Sequence, residues 1–214
     1  MSGRNTIISL VMNLMIAAAT VGIVISYFCG NDGEYHIPPY FRFFLFTTDS
    51  NILCMSSALV LSVFEIRYLK TGKEIPKAVM IFKHTGVAAA ALTFAVVVLF
   101  LGPTMGYVSM LFVGTSVYMH LLGPLLGIIS FCFIENVCRL EKKYLLFTVL
   151  PALIYGIVYL VMVIFIGENN GGWYDFYGFN IGGFWYLSSA ALILLSLGIS
   201  AVLRLIHNKF VHGA

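Results

Sequence analysis

Six separate apolar runs, each long enough to cross a lipid bilayer, constrain this chain more than any other feature. They cover about Ile7 to Phe28, Phe41 to Phe64, His84 to Leu101, Tyr107 to Ile134, Tyr144 to Ile166 and Phe184 to Ile206. A span needs ~20 mostly apolar residues at ~1.5 Å rise each. Inside lipid every backbone polar group must be paired within its own segment, so such runs fold as helices. Only 10% of the 214 residues are charged, against 60% hydrophobic. A soluble domain carries about 25% charged residues, so the surface predicted here faces lipid. The expectation is an all-α polytopic integral membrane protein: residues 1–214 forming a single domain of six transmembrane helices. The first run is too long for a signal-peptide core and lacks a small-residue cleavage site, so it reads as a retained span.

Turn-forming residues separate the runs, among them Gly30-Asn31-Asp32-Gly33, Pro38-Pro39, Thr71-Gly72, Gly102-Pro103 and Asn169-Asn170-Gly171-Gly172. The basic residues are distributed unevenly. Arg4 precedes the first run; Arg67, Lys70, Lys73, Lys77 and Lys83 fall between the second and third. Arg139, Lys142 and Lys143 lie between the fourth and fifth, and Arg204 and Lys209 close the chain. Arg42 alone lies on the other side. The positive-inside rule then places both termini in the cytoplasm. A net charge of +3 gives no reason to expect a nucleic-acid partner. Cys29, Cys54, Cys132 and Cys138 form no C-x-x-C pair and no metal-ligand spacing, so neither a disulfide framework nor a metal or other cofactor is expected. The aromatic loop from Trp173 to Tyr186 reads either as an interfacial belt or as a lid over a cavity.

Polar residues inside such runs carry the functional information. An ionisable side chain in a span costs ~2.5–3.5 kcal/mol on insertion scales. The stretch "FFLFTTDSNIL" nevertheless places Thr47, Thr48, Asp49, Ser50 and Asn51 in succession. Thr47, Ser50, Asn51, Cys54 and Ala58 follow helical spacing and share one face, which must turn into the bundle. Phe43, Phe46, Ile52 and Leu53 occupy the opposite side, suited to lipid or packing. The fourth run holds His120 four residues before Pro124, which bends the helix and frees a backbone carbonyl nearby. His84 starts the third run, and Asn13 in the first suits a bond between helices. Counting residues along the predicted spans puts Thr47 about 9 Å outward of its midpoint and His120 close to its own. By that count His120 lies nearer to Asn51 than to Thr47.

Six spans with both ends inside, "TTDSN" (Thr47 to Asn51), "HLLGP" (His120 to Pro124) and "WYDFYGF" before the last span resemble the androgen-induced protein/ADTRP-like family. Its members are membrane hydrolases of fatty acid esters of hydroxy fatty acids, and the motif wording is similar to that of bacterial six-span relatives. The resemblance implies a lipid-ester substrate, Thr47 as nucleophile, His120 as its base and a bacterial inner membrane as the location. Thr48 competes with Thr47 for the nucleophile's role. General acyl-transfer chemistry adds supporting roles: Asn51 or Ser50 as donors to the oxyanion, and Asp49 orienting the imidazole or a water. Two other readings use the same residues. Asp49 and His120 line a path for protons or a small solute in a transporter, or the polar face binds lipid without catalysis. Thr and Ser in spans also bond back to the i−4 carbonyl, and Asn and His join helices.

Overall fold

The computed structural model describes residues 3–29 and 39–211; the predicted turn at 30–38 lies outside the described residues. Six helices are long and apolar enough to cross a membrane: α1 Gly3–Cys29, α2 Phe46–Thr71, α3 Lys77–Met105, α4 Val117–Ile134, α5 Lys142–Ile166 and α6 Trp185–Phe210. No strand occurs among the described residues. The protein is an all-α polytopic membrane protein.

The packing is organised around α3. Its centre, "HTGVAAAAL", is short-chained, and His84 to Thr93 is buried throughout. Without a hydrophobic drive between helices in lipid, close approach of small residues supplies the packing energy. Gly86 shows how close: a Cβ there would strike the Ser57 side chain, the Leu53 carbonyl and Cys54 Cα of α2. Around α3 stand α2, α4, α5 and α6, while α1 packs mainly on α2. α2 ends at Gly72, whose left-handed φ of 69° lets its N–H bond the Tyr68 carbonyl.

Three boundaries differ from the apolar runs, each for a local reason. α2 continues past Phe64 to Thr71, and α3 begins at Lys77 rather than His84. Lys83, placed by its charge in the loop, is therefore inside a span and fully buried. Arg204 is likewise buried, donating from Nη1 to the Leu140 carbonyl at 2.9 Å. The fourth run is broken: a short helix, Tyr107–Leu111, is followed by a turn with Gly114 at φ 53°, and α4 starts only at Val117.

α4 is irregular where the sequence requires it. Val117–Leu122 forms a π-helical turn, in which Gly123 N–H bonds the Tyr118 carbonyl five residues back. Pro124 has no N–H to offer and prevents regular α-helical bonding here. Such π turns are often found at functional positions.

Candidate active site

The late start of α4 removes the depth mismatch predicted from the apolar run. His120 is four residues into the observed span and Thr47 two residues into α2, at the same end of the bundle. Thr47 Oγ1 and His120 Nε2 are 3.3 Å apart. His120 Nδ1 is 2.6 Å from the Met110 carbonyl in the short helix before α4. A carbonyl only accepts, so Nδ1 carries the proton and Nε2 presents a lone pair to the Thr47 hydroxyl. The imidazole is thus oriented by backbone. Thr47 lies beside the base, and among the described residues no hydrogen bond joins Thr48 to it.

Asp49 is not the orienting group. It is exposed on α2, where it lines a lateral groove with Ser56, Phe82, Ile154 and Tyr155 that does not include His120. Helical geometry explains the separation: two residues turn the side chain by about 200° from Thr47.

Asn51 and Ser50 are occupied. Asn51 Nδ2 donates to the Thr47 carbonyl at 2.8 Å and to the Met119 carbonyl at 2.9 Å, which uses both amide protons. Gly123 N–H serves Tyr118, and Pro124 has none, so Met119 has lost its usual helical donors. Asn51 replaces them, joining the residue before His120 to the backbone of Thr47. Its amide therefore positions the pair and is not free for an oxyanion. Ser50 Oγ lies 3.1 Å from the Thr47 carbonyl and 2.7 Å from Thr93 Oγ1 on α3.

In the first turn of α2 the Thr48 and Asp49 amides bond the Leu45 carbonyl, and the Phe46 amide turns to the aromatic loop, a feature that no motif reveals. Phe46 N–H donates to the Tyr177 hydroxyl at 3.0 Å, and that hydroxyl also lies against Thr47. Burial pushes the Tyr177 phenol up to about 12, so it stays neutral across physiological pH. Tyr177 belongs to the aromatic loop, which is divided in function. Trp173 stacks on Phe44 at 4.8 Å, and Phe176 is buried against Tyr159 at 5.0 Å. Asp175 ties the turn by accepting from the Tyr159 hydroxyl and the Phe179 and Asn180 amides. Phe184 and Tyr186 face outward, each 52% exposed. The first half is a lid and the second half has the character of a belt.

Beneath the lid, Phe46, Thr47, Thr93, Val96, Tyr155 and Tyr177 line an apolar cavity of about 40 Å³, room for at least one water. Phe46, on the side its periodicity suits to lipid or packing, lines this cavity and packs on Tyr155 at 5.1 Å. A cleft of about 150 Å³ between α3 and α6 shares Val96, Leu101, Tyr177, Phe179 and Leu192 with it and extends to Phe100 and Leu195. Among the described residues, no three of His, Cys, Asp and Glu stand close enough to hold a metal ion. No protein-family model, curated protein or solved structure matches this chain.

Proposed function

We propose that the protein is a membrane-embedded hydrolase of lipid esters, with Thr47 as nucleophile and His120 as general base. The observation that carries this reading is the 3.3 Å Thr47–His120 contact with the opposite ring nitrogen held by the Met110 carbonyl. A threonine hydroxyl attacks an ester only when a base takes its proton as the bond forms, and a neutral imidazole suits that task near pH 7. In the proposed reaction Thr47 Oγ1 attacks the ester carbonyl and His120 Nε2 accepts the hydroxyl proton. The imidazolium then protonates the departing alkoxide, leaving an acyl-threonine that a water, deprotonated by the same imidazole, hydrolyses. The positive end of α2, with the Phe46 N–H that now serves Tyr177, favours a developing oxyanion. The Tyr177 oxygen accepts from that amide at 3.0 Å, so a substrate carbonyl oxygen would take its place. The apolar cavity beside Thr47, and the α3–α6 cleft that borders it, suit an acyl chain arriving from the bilayer.

The basic asymmetry supports an orientation with both termini in the cytoplasm even with Lys83 and Arg204 buried. Arg67, Lys70, Lys73, Lys77, Arg139, Lys142, Lys143 and Lys209 still gather at one end. The site then opens toward the opposite leaflet, and short loops of this kind fit a bacterial inner membrane. The test is labelling of the purified protein by a fluorophosphonate activity probe. Thr47→Ala and His120→Ala each abolish labelling, and Asp49→Asn leaves it intact. Labelling that persists in both alanine variants overturns the assignment.

A further inference from the structure

Among the described residues, the most heavily buried charged side chains lie far from Thr47, toward the end of the bundle where α1 begins and α6 finishes. Glu65 of α2, Lys83 of α3 and Glu135, just past α4, each show 0% exposure. Asn13 of α1 sits among them. Lys83 Nζ donates to Asn13 Oδ1 at 2.5 Å and lies 3.4 Å from Glu135 Oε1. The Asn13 amide nitrogen is 3.2 Å from Glu135 Oε1 and 3.4 Å from Glu65 Oε2.

Two carboxyl groups against one ammonium leave one negative charge unbalanced if both are ionised. An uncompensated buried charge is among the most expensive features a protein can hold, so one monovalent cation must balance it. The hydrogen bonds show where. Four donors converge on Glu135 Oε1: Ser130 Oγ at 2.6 Å, Asn13 Nδ2 at 3.2 Å, Ser9 Oγ at 3.4 Å and Lys83 Nζ at 3.4 Å. That is the setting of a carboxylate. Glu65 Oε2 has a share of the Asn13 amide at 3.4 Å, with the Ser9 hydroxyl also nearby, and Glu65 Oε1 is buried without a hydrogen-bond partner. Glu135 Oε2 is likewise buried and unpartnered, beyond the reach of these donors.

We propose that Asn13, Glu65, Lys83 and Glu135 form a buried proton-binding site that holds one proton, on Glu65, beside a Lys83–Glu135 ion pair. Loss of that proton leaves a second carboxylate with no counter-ion among α1, α2, α3 and the end of α4, so packing of this half of the bundle responds to pH. The surrounding groups do not supply another balance. α1 contributes neutral Ser9 and Asn13. Cys54 on α2 and Cys132 on α4 are buried free thiols. His84, next to Lys83, turns instead to the Ser200 carbonyl of α6 at 3.1 Å. His207 bonds the Phe131 and Cys138 carbonyls and Arg204 the Leu140 carbonyl, and among the described residues no ion pair joins Arg204 to Glu65 or Glu135.

Infrared spectroscopy and thermal unfolding in an Asp49→Asn background, which removes the other carboxyl within α2, test the site. A protonated-carboxyl stretch that shifts in deuterium oxide is expected at neutral pH and lost on alkaline titration. Glu65→Gln removes it. Glu65→Gln melts at the temperature of its parent, because one neutral group replaces another. Glu135→Gln melts lower, because the converging donors lose their acceptor. A spectrum of the Asp49→Asn parent without that stretch, or one unchanged by Glu65→Gln, overturns the bound proton. Equal or inverted melting shifts for the two glutamine variants overturn its location on Glu65.

Discussion

Asn51→Leu tests how the candidate dyad is held together. The side chains are similar in size, so the change deletes hydrogen bonds with little change in packing. The Thr47 carbonyl loses a 2.8 Å bond but keeps Ser50 Oγ nearby at 3.1 Å. The Met119 carbonyl loses a 2.9 Å bond and has neither Gly123 N–H nor a proline N–H to replace it. A hydrogen bond between membrane helices contributes about 0.6 kcal/mol on average, whereas a buried carbonyl left without a donor costs about 1–3 kcal/mol. The variant is therefore expected to be about 2–3 kcal/mol less stable, roughly a 30- to 150-fold change in the folding equilibrium. Denaturant titration in bicelles measures this. The activity-probe labelling rate falls in parallel, by about a hundredfold for an ångström of misplacement between Thr47 and His120. Pro124→Ala restores an N–H near the stranded carbonyl, so Asn51→Leu/Pro124→Ala recovers about 1–2 kcal/mol relative to the single variant. A single variant as stable as wild type, or a double variant with no recovery, refutes the reasoning.

Three further outcomes follow from the packing and the charges. Gly86→Leu drives a side chain into Ser57 and the α2 backbone and destabilises the bundle by about 1–3 kcal/mol or more, measured in the same titration. Tyr177→Phe removes the acceptor of Phe46 N–H, lowering stability by about 1–2 kcal/mol. Hydrogen exchange at the Phe46 amide accelerates, with the same effect across neutral pH because the phenol is not ionised there. Glu141 bridges the starts of α3 and α5 through Lys77 and Lys143 at 2.7 Å each. Those bonds, Lys143 first, hold its carboxyl at about 2, below the ordinary 4.5. Its contribution is thus present above about pH 4.5 and lost as pH falls toward 2. Glu141→Gln should melt below wild type at pH 7, and the difference should shrink as pH falls from about 4.5 through about 2; a constant difference contradicts the linkage.

How far the sequence was legible depended on whether each signal was local. The polar stripe at Thr47, Ser50, Asn51 and Cys54 was readable because helical spacing alone puts those residues on one face. The same stripe runs on through Ala58, Leu61 and Ser62 to Glu65, all buried, which was the available clue to the second polar cluster. It was obscured because Glu65 and Lys83 sit near the basic residues of a loop, where charge ordinarily means solvent. Met110, Thr93 and Tyr177 left no such clue. Their importance comes from a backbone carbonyl, a neighbouring helix and a folded-over loop, none of which has a spacing signature.

The chain alone determined that there are six apolar helices and that a threonine-rich turn and a histidine lie within them. Lipid leaves an apolar run no alternative to internal hydrogen bonding, so length and composition suffice. Only the tertiary structure decided which groups meet. The break before Val117 raised His120 to the level of Thr47, the π turn at Pro124 left a carbonyl for Asn51, and the longer α2 and α3 drew Glu65 and Lys83 into the interior. Each depends on where one helix stops relative to another, which is settled by packing across the bundle and not by any single segment.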